Sequence, residues 1–145
     1  MIKICNTMEE TQIFASYLAS IIPEGTVIAL IGNLGSGKTT FSQGYARALN
    51  VQENVGSPTF KLISEYMGTP HNFYHVDCYR LNSINDFLNI GGEKYLYPEG
   101  AVTLIEWADL IDKLLSDRVI SIQFERSEKN LNERKLIIKG LEINE

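Results

Sequence analysis

Gly32, Gly37, Lys38 and Thr39 fit the pattern G-x-x-x-x-G-K-[ST], inside the stretch TVIALIGNLGSGKTTFSQGYARAL from Thr26 to Leu49. Glycines let a backbone curl with its N–H groups turned inward, where a Cβ would clash. Those amides and the N-terminal end of a following helix make a partly positive cradle for phosphate oxygens. Lys38 would set a cation on the β- and γ-phosphates. Thr39 would offer a hydroxyl to Mg²⁺, which completes its shell with water, phosphate oxygen and one carboxylate. A plain glycine-rich turn would explain the glycines alone, but the motif also demands a strand before it and a helix after it. Val27 to Ile31 is an apolar run of strand type, and Phe41, Tyr45, Ala48 and Leu49 recur at helical spacing. The chain is therefore expected to bind a nucleoside triphosphate.

Such a site needs a carboxylate at the end of another strand, to hold the metal or its water shell. Glu106 follows the apolar run AVTLI, and Asp77 follows FYHV. In an open α/β sheet, ligands gather outside the carboxyl ends of the strands, so both acids can converge on the phosphates. Either is otherwise an exposed strand-end acid, and which of the two orients an attacking water stays open. Other residues carry weaker signals. His75 alternates with Asp77 on one strand face, where a lone histidine is more often a structural hydrogen-bonder than a base. Arg80 would steady phosphate charge or pair with a surface acid, and Trp107 reads as a core or ledge aromatic. Ser57-Pro58-Thr59 is a turn before a strand, or a loop that senses the γ-phosphate. Thr11, in the segment before the motif's strand, would touch nucleotide if that segment folds back over the base, but reads more simply as a solvent-facing helix residue.

The elements that must position these groups can be read along the chain. Ile2 to Cys5 is an expected edge strand. A helix is predicted from Thr7 as N-cap, with Glu10 at capping-box spacing and Ile13, Phe14, Tyr17, Leu18 and Ile21 as its apolar face. Asn50 is the expected C-cap of the motif's helix. Lys61 to Tyr66 and Asn72 to Val76 form a predicted hairpin around Met67-Gly68-Thr69-Pro70, beside the motif's strand. Ser83 to Leu88 reads as a short helix capped by Asn82 or Ser83. Ala101 to Ile105 reads as a buried strand, and Ala108 to Leu115 as a helix with Leu110, Ile111, Leu114 and Leu115 on its core face. Val119 to Phe124 and Arg134 to Ile138 are expected as two closing strands. One α/β domain over residues 1–145, a mostly parallel central sheet flanked by helices, accounts for the whole chain.

Composition narrows the class. A hydrophobic fraction of 44% with 21% charged residues is ordinary for a soluble globular protein, and no apolar run reaches the length of a membrane span. The start MIKICNTMEET lacks a signal-peptide pattern, and Cys5 and Cys78 have no metal-like spacing, so a cytoplasmic protein with reduced thiols is expected. The net charge is −5 without a basic run, so contact with nucleic acid would depend on a partner's positive surface.

GNLGSGKTTF, VGSPTF, HVDCYR, NIGGEKYL and LIEW follow in that order, and together they resemble the TsaE (formerly YjeE) family, bacterial P-loop ATPases of tRNA threonylcarbamoyladenosine modification. The resemblance runs from Thr11 to the last strand. It implies a P-loop NTPase fold that binds ATP and Mg²⁺ and hydrolyses ATP weakly alone. It also implies action with the TsaB–TsaD pair, which transfers threonylcarbamoyl to the adenosine beside the tRNA anticodon using the adenylate made by TsaC; tRNA is then met through the partners. By position, Leu34, Gly35, Ser36, Gly37, Lys38 and Thr40 match the phosphate-binding loop, Thr39 the Mg²⁺ hydroxyl and Glu106 the Mg²⁺-side carboxylate. Asp77 matches the HxDxYR acid, Trp107 its companion tryptophan and Ser57-Pro58-Thr59 a switch-like loop. Thr11 matches a threonine near the nucleotide, and Arg134 an arginine of the C-terminal strand region. Asn33 and Ser36 stand where the family often has Asp and Ala, at variable loop positions that leave phosphate binding intact.

The expected activity is weak, partner-activated ATP hydrolysis, with Asp77 and Glu106 as catalytic candidates. The rivals are a nucleotide-dependent assembly module and a small-molecule kinase, for which little chain remains to build an acceptor pocket or basic lid. A GTPase is disfavoured by the lack of an N-K-x-D motif.

Overall fold

Alternation along one strand shows how the layers are arranged. In the computed structural model, which describes residues 1–33, 35–56 and 62–141, Val27–Ile31 forms a strand whose residues feed two separate cores. Ile28 and Leu30 belong to one, Val27 and Ala29 to the other. Successive side chains of a strand point to opposite faces, so this strand is covered on both sides.

The elements in chain order are β1 (Ile2–Cys5), α1 (Met8–Ile21), β2 (Val27–Ile31), α2 (Lys38–Ala48), β3 (Ile63–Tyr66), β4 (Asn72–Asp77), α3 (Ile84–Asn89), β5 (Ala101–Glu106), β6 (Ile120–Arg126) and β7 (Arg134–Lys139). Short 3-10 segments cover Gly92–Leu96 and Ala108–Leu114. The strands form one sheet in the order β1-β7-β6-β2-β5-β4-β3. The central four, β6, β2, β5 and β4, are parallel, and β1, β7 and β3 join antiparallel at the edges. This is the expected α/β architecture, with a mixed sheet that is parallel in its centre. The hairpin of β3 and β4 does not lie beside β2, as the sequence suggested; β5 inserts between them. Its six residues, AVTLIE, are all buried, and a parallel strand buried on both faces belongs in the middle of such a sheet.

One core lies between the sheet and helices α1 and α2, built on Phe14, Leu18, Phe41, Tyr45 and Phe73. The other gathers Phe87, Tyr95 and Ile111 from α3 and the 3-10 segments over Val27, Ala29, Val76 and Ile105. Among the described residues no helix is long and apolar enough to cross a membrane.

Helix α1 is capped as expected: the Thr7 hydroxyl accepts from the Glu10 amide at 3.0 Å. The Glu10 carboxylate, however, accepts from the Asn6 amide rather than closing a capping box on Thr7. The buried face is shifted from the predicted one, keeping Phe14 and Leu18 but losing the other three. Ile13, Tyr17 and Ile21 are 69%, 43% and 41% exposed, while Thr11, Phe14, Ala15, Leu18 and Ala19 are buried. The reason is the closeness of α2. A Cβ on Gly44 would lie 2.7 Å from the Gln12 Cα and 2.8 Å from its carbonyl oxygen, so only small side chains fit between the helices. Ser16 meets that seam, its hydroxyl donating to the Gly44 carbonyl at 3.3 Å, while the larger Ile13 and Tyr17 stay exposed. Gly44→Ala should therefore destabilise the fold by about 1–3 kcal/mol through overpacking, despite alanine's better helix propensity. An unchanged denaturant midpoint would contradict this close approach.

Ala108–Leu114 is a 3-10 segment with non-helical dihedrals at Ile111, not the predicted α-helix. Ala108 and Ile111 alone are fully buried there, and Leu110, Leu114 and Leu115 pack at the margin of the core. The short helix after Ser83 matches expectation, with the Ser83 hydroxyl accepting from the Asp86 amide. The C-cap of α2 is Leu49 and not Asn50, which follows it in the left-handed conformation at φ +60°; the Val51 amide reaches back to the Ala46 carbonyl and the Asn50 amide to that of Arg47. Cys5 and Cys78 are buried and unbridged.

Candidate functional site

The carboxyl ends of β2, β4 and β5 meet because their registers align. Leu30 of β2 and Asp77 of β4 both stand opposite Glu106 of β5. Beyond β2 the chain turns at Gly32 so tightly that a Cβ there would lie 2.7 Å from the Ser36 hydroxyl and 2.8 Å from the Phe124 carbonyl; only glycine fits. The chain then enters α2 at Lys38. A cleft of about 260 Å³ opens at this point. It is lined by Thr11, Gly35, Ser36, Gly37, Lys38, Thr39, Thr40, Asp77, Glu106, Trp107 and Arg134, which the sequence singled out, together with Met8, Tyr79 and Asn132. Leu34 and Ser57-Pro58-Thr59 lie outside the described residues. Thr11 is buried at the cleft wall, not solvent-facing, because α1 is rotated to pack on α2. Arg80 is exposed and does not line the cleft.

Lys38 is only 4% exposed. Its ammonium donates to the Gly32 carbonyl at 2.6 Å, the Asn33 carbonyl at 2.9 Å and the Ser36 hydroxyl at 3.2 Å. It also sits 4.2 Å from the centre of the Trp107 ring, a cation–π distance. Burial pulls its pKa below the usual lysine value, and the nearby Glu106, Asp77 and Asp109 carboxylates oppose that pull. Trp107 reaches this place because it takes a left-handed conformation, φ +58°, directly after β5. Tyr79 packs against it at 4.9 Å between ring centres.

Glu106 is 3% exposed and holds three side-chain partners. Its Oε1 accepts from the Thr39 hydroxyl at 3.1 Å, and its Oε2 lies 3.4 Å from the Ser42 hydroxyl and 2.6 Å from His75 Nε2. Burial by itself would raise its pKa. The His75 hydrogen bond and charge, the Thr39 hydroxyl and the Lys38 ammonium outweigh burial and hold the carboxyl below its ordinary value. The folded protein thus binds this proton less tightly than the unfolded chain. The resulting stability is complete above the ordinary value of 4.5 and is lost as pH falls from there through the folded value. Wild type should accordingly melt higher than Glu106→Gln at neutral pH, with the gap narrowing under acid; a gap independent of pH would contradict the shift. Asp77, half-buried, accepts from the Tyr79 amide at 3.0 Å through Oδ1, and its Oδ2 has no hydrogen-bond partner among the described residues.

On the opposite rim, the Arg134 guanidinium donates to the Gly35 carbonyl at 3.2 Å and to the Leu131 and Glu133 carbonyls at 2.6 and 2.9 Å. Burial and then the neighbouring Arg126 lower its pKa. Arg126 stands directly opposite Arg134 in the β6–β7 register, and its Nη1 lies 3.5 Å from where a Cβ on Gly35 would be. Like charges facing each other across strands are unfavourable, and neither arginine pairs with a carboxylate among the described residues. The loop therefore has a locally positive rim on a chain of net charge −5. Sequence reasoning missed Arg126 because it ended the strand at Phe124, before the register that opposes the two arginines. It also passed over Ser42, although Ser42 lies one helical turn after Lys38 and so shares its face.

The family model described as "Threonylcarbamoyl adenosine biosynthesis protein TsaE" matches residues 5–136, which include every residue of the cleft. The chain belongs to the TsaE family. A Bacillus subtilis (strain 168) protein named tRNA threonylcarbamoyladenosine biosynthesis protein TsaE is 38% identical over 119 residues, covering 82% of this chain and 73% of that protein. A Treponema pallidum (strain Nichols) protein of the same name is 35% identical over 119 residues, covering 82% of this chain and 87% of the relative. The crystal structure of Bacillus subtilis YdiB superposes with a TM-score of 0.73 at 31% identity, over 94% of this chain and 82% of that one. TsaE proteins serve tRNA threonylcarbamoyladenosine biosynthesis, in line with the five motifs read above.

Proposed function

We propose that this TsaE-family chain binds Mg²⁺-ATP in the cleft between Gly32 and Thr40 and hydrolyses it weakly. In doing so it supports the TsaB–TsaD pair in threonylcarbamoyl modification of the adenosine beside the tRNA anticodon. The observation that carries this reading is the convergence of Lys38, the Thr39 hydroxyl and an ionised, buried Glu106 at the mouth of the motif's loop.

The donor set fits Mg²⁺. A hydroxyl and a carboxylate oxygen 3.1 Å apart are hard oxygen ligands. Among the described residues no group of three or more His, Cys, Asp or Glu could form an all-protein cage, so phosphate oxygens and water would complete the shell. Mg²⁺ held by the Thr39 hydroxyl and Glu106 would neutralise charge on the bound phosphates. The remaining work falls to the chain. The loop amides and Lys38 hold the phosphates, and Arg134 and Arg126 add positive charge at the rim. Thr11 and Met8 of α1 also line the cleft.

Asp77 is the residue we assign to orienting the attacking water. Both Glu106 oxygens are engaged and its pKa is lowered, which makes it a poor proton acceptor, whereas Asp77 keeps one oxygen unengaged beside the cleft. The hold of Lys38 on Gly32 and Asn33 also favours a second role, as a nucleotide-dependent assembly module, since phosphate must draw the ammonium away from these carbonyls. ATP turnover measured with Mg²⁺, with and without saturating TsaB–TsaD, tests the proposal. Magnesium-dependent turnover that rises with the partners is expected. The reading fails if there is neither magnesium-dependent ATP binding nor acceleration.

A further inference from the structure

We propose that His75 is the positioning residue of the metal carboxylate: it pins the inner oxygen of Glu106 so that the outer oxygen faces Thr39 and the cleft. The inference rests on the reading of Glu106 as the metal-side carboxylate.

The two oxygens of Glu106 have different surroundings. Oε1 meets the Thr39 hydroxyl at 3.1 Å, on the cleft side. Oε2 points inward, to His75 Nε2 at 2.6 Å and the Ser42 hydroxyl at 3.4 Å. A serine hydroxyl carries one hydrogen, and the Ser42 oxygen lies closer to the Lys38 carbonyl, at 2.9 Å. Ser42 therefore spends its hydrogen on its own helix, and His75 is left as the donor to Oε2. The imidazole is enclosed on its strand face. His75 is 4% exposed, and its ring stacks on fully buried Phe73 at 6.1 Å with 12° between planes. Both side chains stand on the same face of β4, two residues apart. A carboxylate fixed by a rigid donor at one oxygen presents the other with a defined direction. Groups that orient a metal's ligand in this way typically govern about 10- to 100-fold in metal affinity.

The test is equilibrium binding of ATP to the full chain, titrated with Mg²⁺ and repeated in EDTA, for wild type and for His75→Leu, His75→Gln and His75→Asn. Leucine fills the site without a donor, glutamine carries an amide donor to the reach of Nε2, and asparagine falls short of it. The half-saturating Mg²⁺ concentration should rise about 10-fold or more in His75→Leu and His75→Asn and return close to wild type in His75→Gln. ATP binding in EDTA should stay within about twofold throughout. Should His75→Leu fail to fold, the glutamine–asparagine comparison decides alone. Equal Mg²⁺ dependence in those two variants, or a loss of ATP binding that is the same with and without Mg²⁺, overturns the proposal. If wild type itself shows no Mg²⁺ dependence, the metal-side reading of Glu106 has failed, a result that no comparison among variants can mimic.

Discussion

Lys38→Ala is expected to weaken ATP binding about 100-fold while leaving a folded protein. The ammonium already makes three hydrogen bonds within the loop, and it would redirect them to phosphate oxygens carrying full charge. Hydrogen bonds to charged groups contribute about 1.5–3 kcal/mol each, and every 1.4 kcal/mol is tenfold in affinity. Lys38→Arg should rescue little of this. The niche between the Gly32 and Asn33 carbonyls, the Ser36 hydroxyl and the Trp107 ring encloses a compact ammonium, and a planar guanidinium is broader. Calorimetric titration of both variants with Mg²⁺-ATP is the measurement. Affinity within threefold of wild type in Lys38→Ala would remove the lysine from the phosphate site and the function with it.

The second large effect separates the two acids. Asp77→Asn should bind Mg²⁺-ATP nearly as well as wild type but turn it over about 10²-fold or more slowly, the usual range for losing a general base. Glu106→Ala should lose both, since removing the metal-side carboxylate forfeits several kcal/mol of charge stabilisation and leaves buried His75 without its partner. Parallel measurement of ATP affinity and single-turnover rate distinguishes them. If Glu106→Ala keeps full affinity and Asp77→Asn loses it, the two roles are reversed.

Much of this arrangement was legible in the chain because it is local. The motif at Gly32, the strand before it and the helix after it follow from spacing alone, as do the caps at Thr7 and Ser83 and the two acids that end apolar runs. What escaped was set by partners distant in sequence. The face that α1 buries depends on Gly44, 32 residues from Gln12 by number, permitting contact between helices. The place of the hairpin depends on β5, which arrives later in the chain and is apolar enough to take the centre. Arg126 gains meaning only when the register sets it against Arg134. His75 could be named as a hydrogen-bonder from its type, yet its partner, 31 residues away, could not. The solvent-facing reading of Thr11 failed by the same error that shifted the face of α1, although the resemblance had set this residue near the cleft.

The chain has a single tryptophan, and its indole lies against the lysine proposed to hold the triphosphate. The protein thus carries its own optical reporter: intrinsic emission tracks where the ammonium sits, with no label attached and no background from another indole. Filling of the site and any later rearrangement by partner proteins could be timed by stopped-flow from that one signal, provided the partners' own emission is subtracted.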